Sequence, residues 1–236
     1  MKTNYYGAIT DPETAGDLYI ALKVIADELR AGQTDEHGWE TGITFADGGA
    51  AKRRHDYAAI NEGWRMIGTD IHTGEPIGVL EVRQSRRDRY GTHVTKNCYL
   101  VGRNEDNTAF GHAVPTATVN RAQKLYPDDQ QEQLVAVQTY IFGTDYRRVV
   151  RQGDIGFIAC HKPGGLDVLG KQITIMESHV IRGRAVVQRG ESIYVQCPHV
   201  THPTHNYVAI KAGWYKLVIG RRAQFRTTIA DIPQVD

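Results

Sequence analysis

Histidines are concentrated in one stretch of the sequence, residues 177–215. His179, His199, His202 and His205 are four of the ten histidines in the chain, and Glu177 lies just before the first of them. Neutral imidazole and carboxylate groups are common ligands of zinc and related divalent metals. This histidine stretch therefore predicts a metal site, provided that the fold brings the side chains to one face.

Spacing selects among the possible ligands. Glu177 and His179 are two residues apart, so on a β-strand they point to the same face. The later histidines recur at every third residue, which puts neighbours on opposite faces of a regular strand. Pro198 and Pro203 interrupt the strand and allow two of these histidines to point inward. The most economical set of ligands, with Cys197 or His199 as a substitute, is Glu177, His179, His202 and His205.

Three or four such ligands would hold one divalent ion, with zinc as the first expectation. The site would be structural if closed, and suited to hydrolysis if one position were left to water. The alternative is a group of imidazoles that hydrogen-bond backbone atoms left exposed by the prolines. The spacing matches no zinc finger, HExxH helix or deaminase signature, and the chain has no P-loop, Rossmann fingerprint or GxSxG motif. The sequence leaves open whether the protein is an enzyme.

A second candidate site is basic. The segment from Arg83 to Tyr90 carries four arginines, and we consider all four as partner-binding residues: Arg83, Arg86, Arg87 and Arg89. In a loop they would contact phosphate groups of a nucleic acid or a protein partner. On a hairpin tip they would be solvated charges that protect an edge strand from aggregation. A formal net charge of +1 favours the second interpretation, because no overall field attracts nucleic acid.

These two clusters define two classes of function. The first is a metal-binding protein, with metal-dependent hydrolysis as the candidate reaction. The second is a non-enzymatic interaction or regulatory protein, associated with a phage or a defence system, that binds a protein, a nucleic acid or a second copy of itself. No apolar run approaches the ~20 residues of a membrane span, and residues 1–16 lack the apolar core of a signal peptide. We therefore expect a cytoplasmic protein with no membrane partner.

Periodicity predicts an α+β fold that is mostly antiparallel β-structure. A helix is expected over 14–31, where Leu18, Leu22, Ile25 and Leu29 share one face. Glycine-rich residues 33–61 suggest a long loop, with a short helix considered for 50–60. A β-meander is expected over 64–115 and a second helix over 128–142. We place one region at 1–143, a β-rich domain resembling a barrel or a sandwich at 144–226, and a tail at 227–236.

The last third of the chain resembles a family of small uncharacterised bacterial and phage β-proteins. The matching pieces are Gln152-Gly153-Asp154, Ser178 to Gly183, the pair His202 and His205, and Gly213-Trp214-Tyr215. Phe110-Gly111-His112 looks like an upstream part of longer members. The resemblance strengthens the expectation of a site at the histidines but implies no established activity. The chain departs from the family pattern by having Glu177 where members often carry a histidine, and Thr204 where they favour an acidic residue.

Overall fold

The computed structural model describes residues 12–31, 57–88, 91–104, 107–165, 167–175, 179–203 and 207–221. Within these ranges the chain forms three α-helices and two antiparallel sheets. This confirms the predicted α+β class with a majority of antiparallel strands. Among the described helices, none combines the length and the apolar character that a membrane span requires.

The first sheet contains the predicted meander. Its four strands pair in chain order: β1 (Tyr57–Thr69), β2 (Pro76–Asp88), β3 (Gly91–Arg103) and β4 (Ala109–Val114). Strand β1 begins earlier than expected, because residues 57–61 pair with residues 83–87 of β2. The prediction that 57–61 belong to a loop or a short helix was therefore wrong. Pairing with a neighbouring strand outweighed the local helix preference of this alanine-containing segment.

The basic segment also differs from its prediction. Arg83, Arg86 and Arg87 lie within β2, which pairs with β1 on one side and β3 on the other. They therefore belong to a central strand and not to a loop or an edge strand, while Arg86 and Arg87 do lie beside the tip of the β2–β3 hairpin. A strand can continue through charged residues when its backbone N–H and C=O groups are hydrogen-bonded to a neighbouring strand on each side. Arg89 lies outside the described residues.

Helix α1 (Pro12–Ala31) covers one face of the first sheet, as its apolar periodicity predicts. Leu22 and Ile25 are buried, and Leu18 and Leu29 pack beside them against Trp64 and other residues of the sheet. The helix contains a break at Gly16, whose φ of 61° and ψ of −151° are not helical. The burial of Leu22 and Ile25, with Leu18 and Leu29 beside them, confirms the predicted apolar face of the helix.

Helices α2 (Thr116–Leu125) and α3 (Gln130–Phe142) cover the other face. Asp129 caps α3 by accepting a hydrogen bond from the Glu132 amide at 3.0 Å, which satisfies one of the free N–H groups of the first turn. Gly143 ends α3 in the left-handed conformation at φ 68°, which glycine adopts without a Cβ clash. Both ends of the predicted helix are confirmed to within two residues.

The second sheet follows the short 3₁₀ helix Tyr146–Arg148. Its strands are β5 (Val149–Gln152), β6 (Ile155–Cys160), β7 (Asp167–Ile175), β8 (His179–Arg189), β9 (Ser192–Gln196), β10 (His199–Thr201) and β11 (Trp214–Ile219). The strand order is β10-β8-β9-β11-β6-β5, with β7 also paired to β8. The described strands form an open sheet, so of the two predicted forms the sandwich-like one fits and the closed barrel does not.

The flanking prolines do not prevent one strand of this sheet from forming. Residues 199–201 pair with β8 between Pro198 and Pro203, whereas residues 207–211, inside the region expected to be rich in β-structure, are irregular backbone. Strand β10 forms because β9 pairs only with residues 185–189 of β8 and leaves residues 180–182 open on the same side.

The two sheets share hydrophobic packing. One buried cluster joins residues of the first sheet, including Met66 and Leu100, to α3 and to Val149 and Ile158 of the second sheet. A separate cluster fills the inner face of the second sheet and contains Ile181 and Val200. This second cluster lies on the sheet face that also carries His179 and His202.

Candidate metal centre and the buried polar clusters

The register of the second sheet places two of the predicted ligands opposite each other. Strands β8 and β10 pair Val180 with Thr201, so the next position along the ladder sets His179 across from His202. Their imidazole rings have centroids 4.2 Å apart and an interplanar angle of 38°. Directly opposed side chains on neighbouring strands lie close enough to act together.

Both rings lie on the inner face of the sheet. His179 is two residues before the fully buried Ile181, and His202 is two residues after the fully buried Val200. Side chains two residues apart point to the same face of a strand, so each histidine lies on the face that carries the apolar cluster. His179 itself is only 4% exposed. The sheet thus brings together the buried His179 and the half-buried His202 at one end of the apolar cluster.

The other members of the histidine stretch are distributed differently. His199 is exposed, and its ring lies 5.2 Å from the ring of Tyr207. In agreement with the expectation that His199 and His202 point to opposite faces, His199 is exposed whereas the His202 ring lies 4.2 Å from the ring of the buried His179. Glu177 and His205 lie outside the described residues, so their predicted roles as ligands stay predictions.

Cys197 occupies the junction between β9 and β10. Its φ of 51° is unusual for a residue other than glycine, and its amide donates to the Gly213 carbonyl at 2.7 Å. Within the described ranges, no three histidine, cysteine, aspartate or glutamate residues are grouped as they would be around a metal ion. Neither suggested substitute, Cys197 or His199, therefore completes a set of three with the histidine pair there.

Arg83, the first of the four predicted partner-binding arginines, is engaged inside the protein. Its Nε lies 2.5 Å from Oε1 of Glu81, whose other carboxylate oxygen lies 2.5 Å from Nη1 of Arg65. Glu81 is 2% exposed. Arg65 also donates to Asn120 of α2 at 3.0 Å, so this cluster attaches the first sheet to α2. Of Arg86 and Arg87, the structure describes only the backbone position.

A larger polar cluster, which sequence reasoning missed, surrounds Asp70 just after β1. One oxygen of its carboxylate accepts hydrogen bonds from Gln138 at 2.8 Å and from the Tyr146 hydroxyl at 2.7 Å. Arg151 lies 3.8 Å from the same oxygen and donates to the Tyr146 hydroxyl at 3.0 Å. The other oxygen accepts from the His72 amide at 2.8 Å. Asp70 therefore connects the β1–β2 turn to α3, the 3₁₀ helix and β5.

Half of this cluster had a signal in the sequence. Asp70 is followed by His72-Thr73-Gly74-Glu75, and an aspartate before a turn commonly accepts hydrogen bonds from amides two or three residues later. The long-range partners Gln138 and Tyr146 had no such signal. They come from helical and 3₁₀ segments that only the tertiary packing brings beside the turn.

A histidine–carboxylate pair also bridges the two sheets. Nε2 of His112 in β4 lies 2.8 Å from Oδ1 of Asp154, in the turn between β5 and β6. The ring of Phe110 lies beside His112 with centroids 5.6 Å apart, and the Arg151 guanidinium lies 5.2 Å from the Phe110 ring centroid. The Gln152-Gly153-Asp154 and Phe110-Gly111-His112 motifs are therefore neighbours in the fold.

The buried carboxylates predict how stability depends on pH. Burial acts most strongly on Asp70 and opposes its ionisation, but the Arg151 charge and hydrogen bonds from Tyr146, the His72 amide and Gln138 outweigh it and lower the pKa. Burial likewise opposes ionisation of Glu81, yet hydrogen bonds and charges from Arg83 and Arg65 lower its pKa. These carboxylates stay ionised in the folded protein at a pH where the unfolded chain already takes up protons.

We therefore expect the free energy of unfolding to fall as the pH drops below about 4, the ordinary carboxyl range. The slope contributed by each carboxylate reaches at most about 1.4 kcal/mol per pH unit between its unfolded and folded pKa. Urea unfolding between pH 3 and pH 6 measures this dependence. The variant Glu81→Gln should show a shallower slope over that range, and an unchanged slope would contradict the assignment to Glu81.

Comparison with known proteins adds no relative: no family model, curated protein or solved structure matches the chain.

Proposed function

We propose that the protein is a cytoplasmic metal-binding protein whose divalent ion, zinc first, is held by Glu177, His179, His202 and His205. The observation that supports this most directly is the cross-strand pair of His179 and His202, with ring centroids 4.2 Å apart. Each residue lies on the sheet face that carries an apolar cluster. A metal ion is a common reason for two imidazoles to meet in such an environment.

The separation of the rings suits a shared ion. Zinc–nitrogen bonds are about 2.0–2.1 Å long in tetrahedral sites, so two nitrogens on one zinc ion lie roughly 3.3 Å apart. The two ring centroids are 4.2 Å apart, so binding one zinc ion would require the rings to tilt apart by roughly 1 Å. The two strands hold the backbone positions, and sites built on strands are positioned more accurately than sites built on loops.

Covalent geometry keeps the other two proposed ligands near the pair. Glu177 is two residues from His179, so their Cα atoms are separated by no more than about 7 Å. His205 is three residues from His202, which limits that Cα distance to about 11 Å. Both side chains carry donor atoms that zinc prefers. The chain between the ligands is therefore short enough to permit all four of them to reach one ion.

The number of ligands decides the chemistry. Four protein ligands would close the site and make it structural, whereas three would leave a position for water. Zinc lowers the pKa of bound water towards neutrality and supplies a nucleophile for hydrolysis. Metal-dependent hydrolysis is therefore the reaction class we propose for a site with an open position.

The test is the metal content of the untagged protein, measured by inductively coupled plasma mass spectrometry after incubation with zinc and dialysis. We expect about one zinc ion per chain in the native protein and none in His179→Ala or in the double variant His202→Ala/His205→Ala. The control is His199→Ala, because the exposed His199 lies beside Tyr207 away from the pair. Far-ultraviolet circular dichroism verifies that each variant is folded.

Two outcomes would remove the proposal. One is a folded native protein that retains no zinc, and the other is zinc that remains in the folded double variant. The protein would then be studied as a non-enzymatic interaction protein. Charge reversal at Arg86 and Arg87 would be the first substitution tested against a protein or nucleic-acid partner.

A further inference from the structure

A groove of about 640 Å³ runs between α2 and α3. Its apolar walls come from both helices and include Ala117 and Leu125 of α2 and Val135, Ala136 and Tyr140 of α3. Ligand-binding clefts in proteins typically have volumes of about 300–1,000 Å³ and mostly apolar walls with a few polar groups. The groove has the size and lining of such a site.

The groove lies next to the buried core, because Val135 and Ala122 of its lining also belong to the cluster that packs the two helices on the sheet. Val119 of α2 and Leu134 and Val137 of α3 are fully buried beneath them. The small side chains Ala117 and Ala136 leave space between the two helices. Leu125 is 58% exposed and Tyr126 is 38% exposed at the edge of this space. Apolar surface is therefore left in contact with water along the groove.

The charges at the groove are unequally matched. The Arg147 guanidinium is hydrogen-bonded to both oxygens of the Glu132 carboxylate and lies 3.7 Å from Asp145. Arg121 also lines the groove, but it has no hydrogen-bond or ion-pair partner among the residues that the structure describes. One guanidinium beside the apolar surface is thus available to an anion.

We propose that this groove binds a small amphiphilic carboxylate. Its apolar chain lies against Leu125, Val135 and Ala136, and its carboxylate binds the guanidinium of Arg121. An arginine and a carboxylate form paired, charge-assisted hydrogen bonds, and the same anion is kept from Arg147 by Glu132 and Asp145. The groove is formed by helices outside the second sheet, so this site is separate from the proposed metal centre.

The proposal is tested with octanoate as the probe and isothermal titration calorimetry of the full chain. We expect saturable binding of octanoate to the native protein at millimolar concentration or below. Arg121→Gln should weaken octanoate binding about tenfold to a hundredfold, the loss typical of a hydrogen bond to a charged group. Octan-1-ol, which has the same chain without the charge, should bind the native protein and Arg121→Gln equally.

Two further variants make the test specific. Lys124→Gln removes a positive charge from the same helix, at an exposed position that does not line the groove, and should leave octanoate binding unchanged. Ala136→Leu fills the groove without changing charge and should abolish binding of both compounds, with circular dichroism verifying its fold. The proposal is overturned if the native protein does not bind octanoate. It is also overturned if Arg121→Gln and Lys124→Gln weaken binding equally, or if folded Ala136→Leu binds as the native protein does.

Discussion

Replacing Asp70 with alanine is expected to lower the free energy of unfolding by roughly 3–5 kcal/mol, the usual cost of removing one partner from a buried charged cluster. Asp70 is 2% exposed and accepts hydrogen bonds from Gln138 and Tyr146. Its removal leaves those donors unsatisfied and leaves the Arg151 guanidinium without its nearby carboxylate. Urea unfolding at neutral pH, followed by tyrosine and tryptophan fluorescence, measures the change.

Two variants distinguish a specific effect of Asp70 from a general loss of negative charge. Asp128→Ala removes an exposed aspartate and should change the free energy of unfolding by less than about 0.5 kcal/mol. Asp70→Asn keeps one acceptor oxygen and should cost less than Asp70→Ala. Equal stabilities of Asp70→Ala and Asp128→Ala would show that the cluster contributes nothing measurable.

Replacing Gly183 with alanine is expected to destabilise the protein by about 1–3 kcal/mol, the usual cost of overpacking. A Cβ at Gly183 would lie 2.6 Å from Cγ1 of Val195 and 2.7 Å from the carbonyl oxygen of Gln196. The second atom belongs to the backbone of β9, so a side-chain rotation does not relieve this contact. Strand β8 would have to move away from β9 and its continuation β10.

That movement should also reach the histidine pair, since the same register sets His179 across from His202. We expect Gly183→Ala to bind zinc more weakly than the native protein, although it alters no proposed ligand. The control is Gly164→Ala, where an added Cβ meets no atom within 4 Å. Thermal unfolding and zinc titration compare the two variants. Equal stability of both would show that β8 and β9 adjust freely at this contact.

Two of the three described helices, α1 and α3, and most strands could be predicted because their signals are local. In α1, apolar residues at helical spacing marked the buried face; for α3, Asp128 or Asp129 was a possible cap and Gly143 the expected end, and the structure has Asp129 and Gly143 in these positions. The position of the basic segment was predicted wrongly because a strand is central only by virtue of its two neighbouring strands. The charges within one segment do not indicate whether such neighbours are present. Strand β10 was missed for the same reason, since it is ordered by pairing with β8 between two prolines.

The part of the candidate site that could be predicted from the sequence is the part that depends on the alternation of side chains along a strand. A strand period of two residues predicts that His199 and His202 point to opposite faces. In the structure His199 is exposed and lies on the outer face. The placement of His179 opposite His202 depends on the register between β8 and β10, which pair through residues 180–182 and 199–201. The Asp70 cluster joins residues up to 81 positions apart in the chain, and no local pattern in the sequence encodes such a separation.

The hydrophobic cluster that includes Met66, Leu134 and Val149 has a consequence for how this protein changes over evolutionary time. Recombination near Gly143 would join the first half of the chain to a second half from another protein. Residues that replaced Val149 and Ile158 would then pack against the first sheet, and Asp70 would lose Tyr146 and Arg151 as partners. Only halves that had changed together would fit. Inheritance of the histidine-bearing half is therefore linked to that of the helical half, even though the proposed metal ligands all lie in one of them.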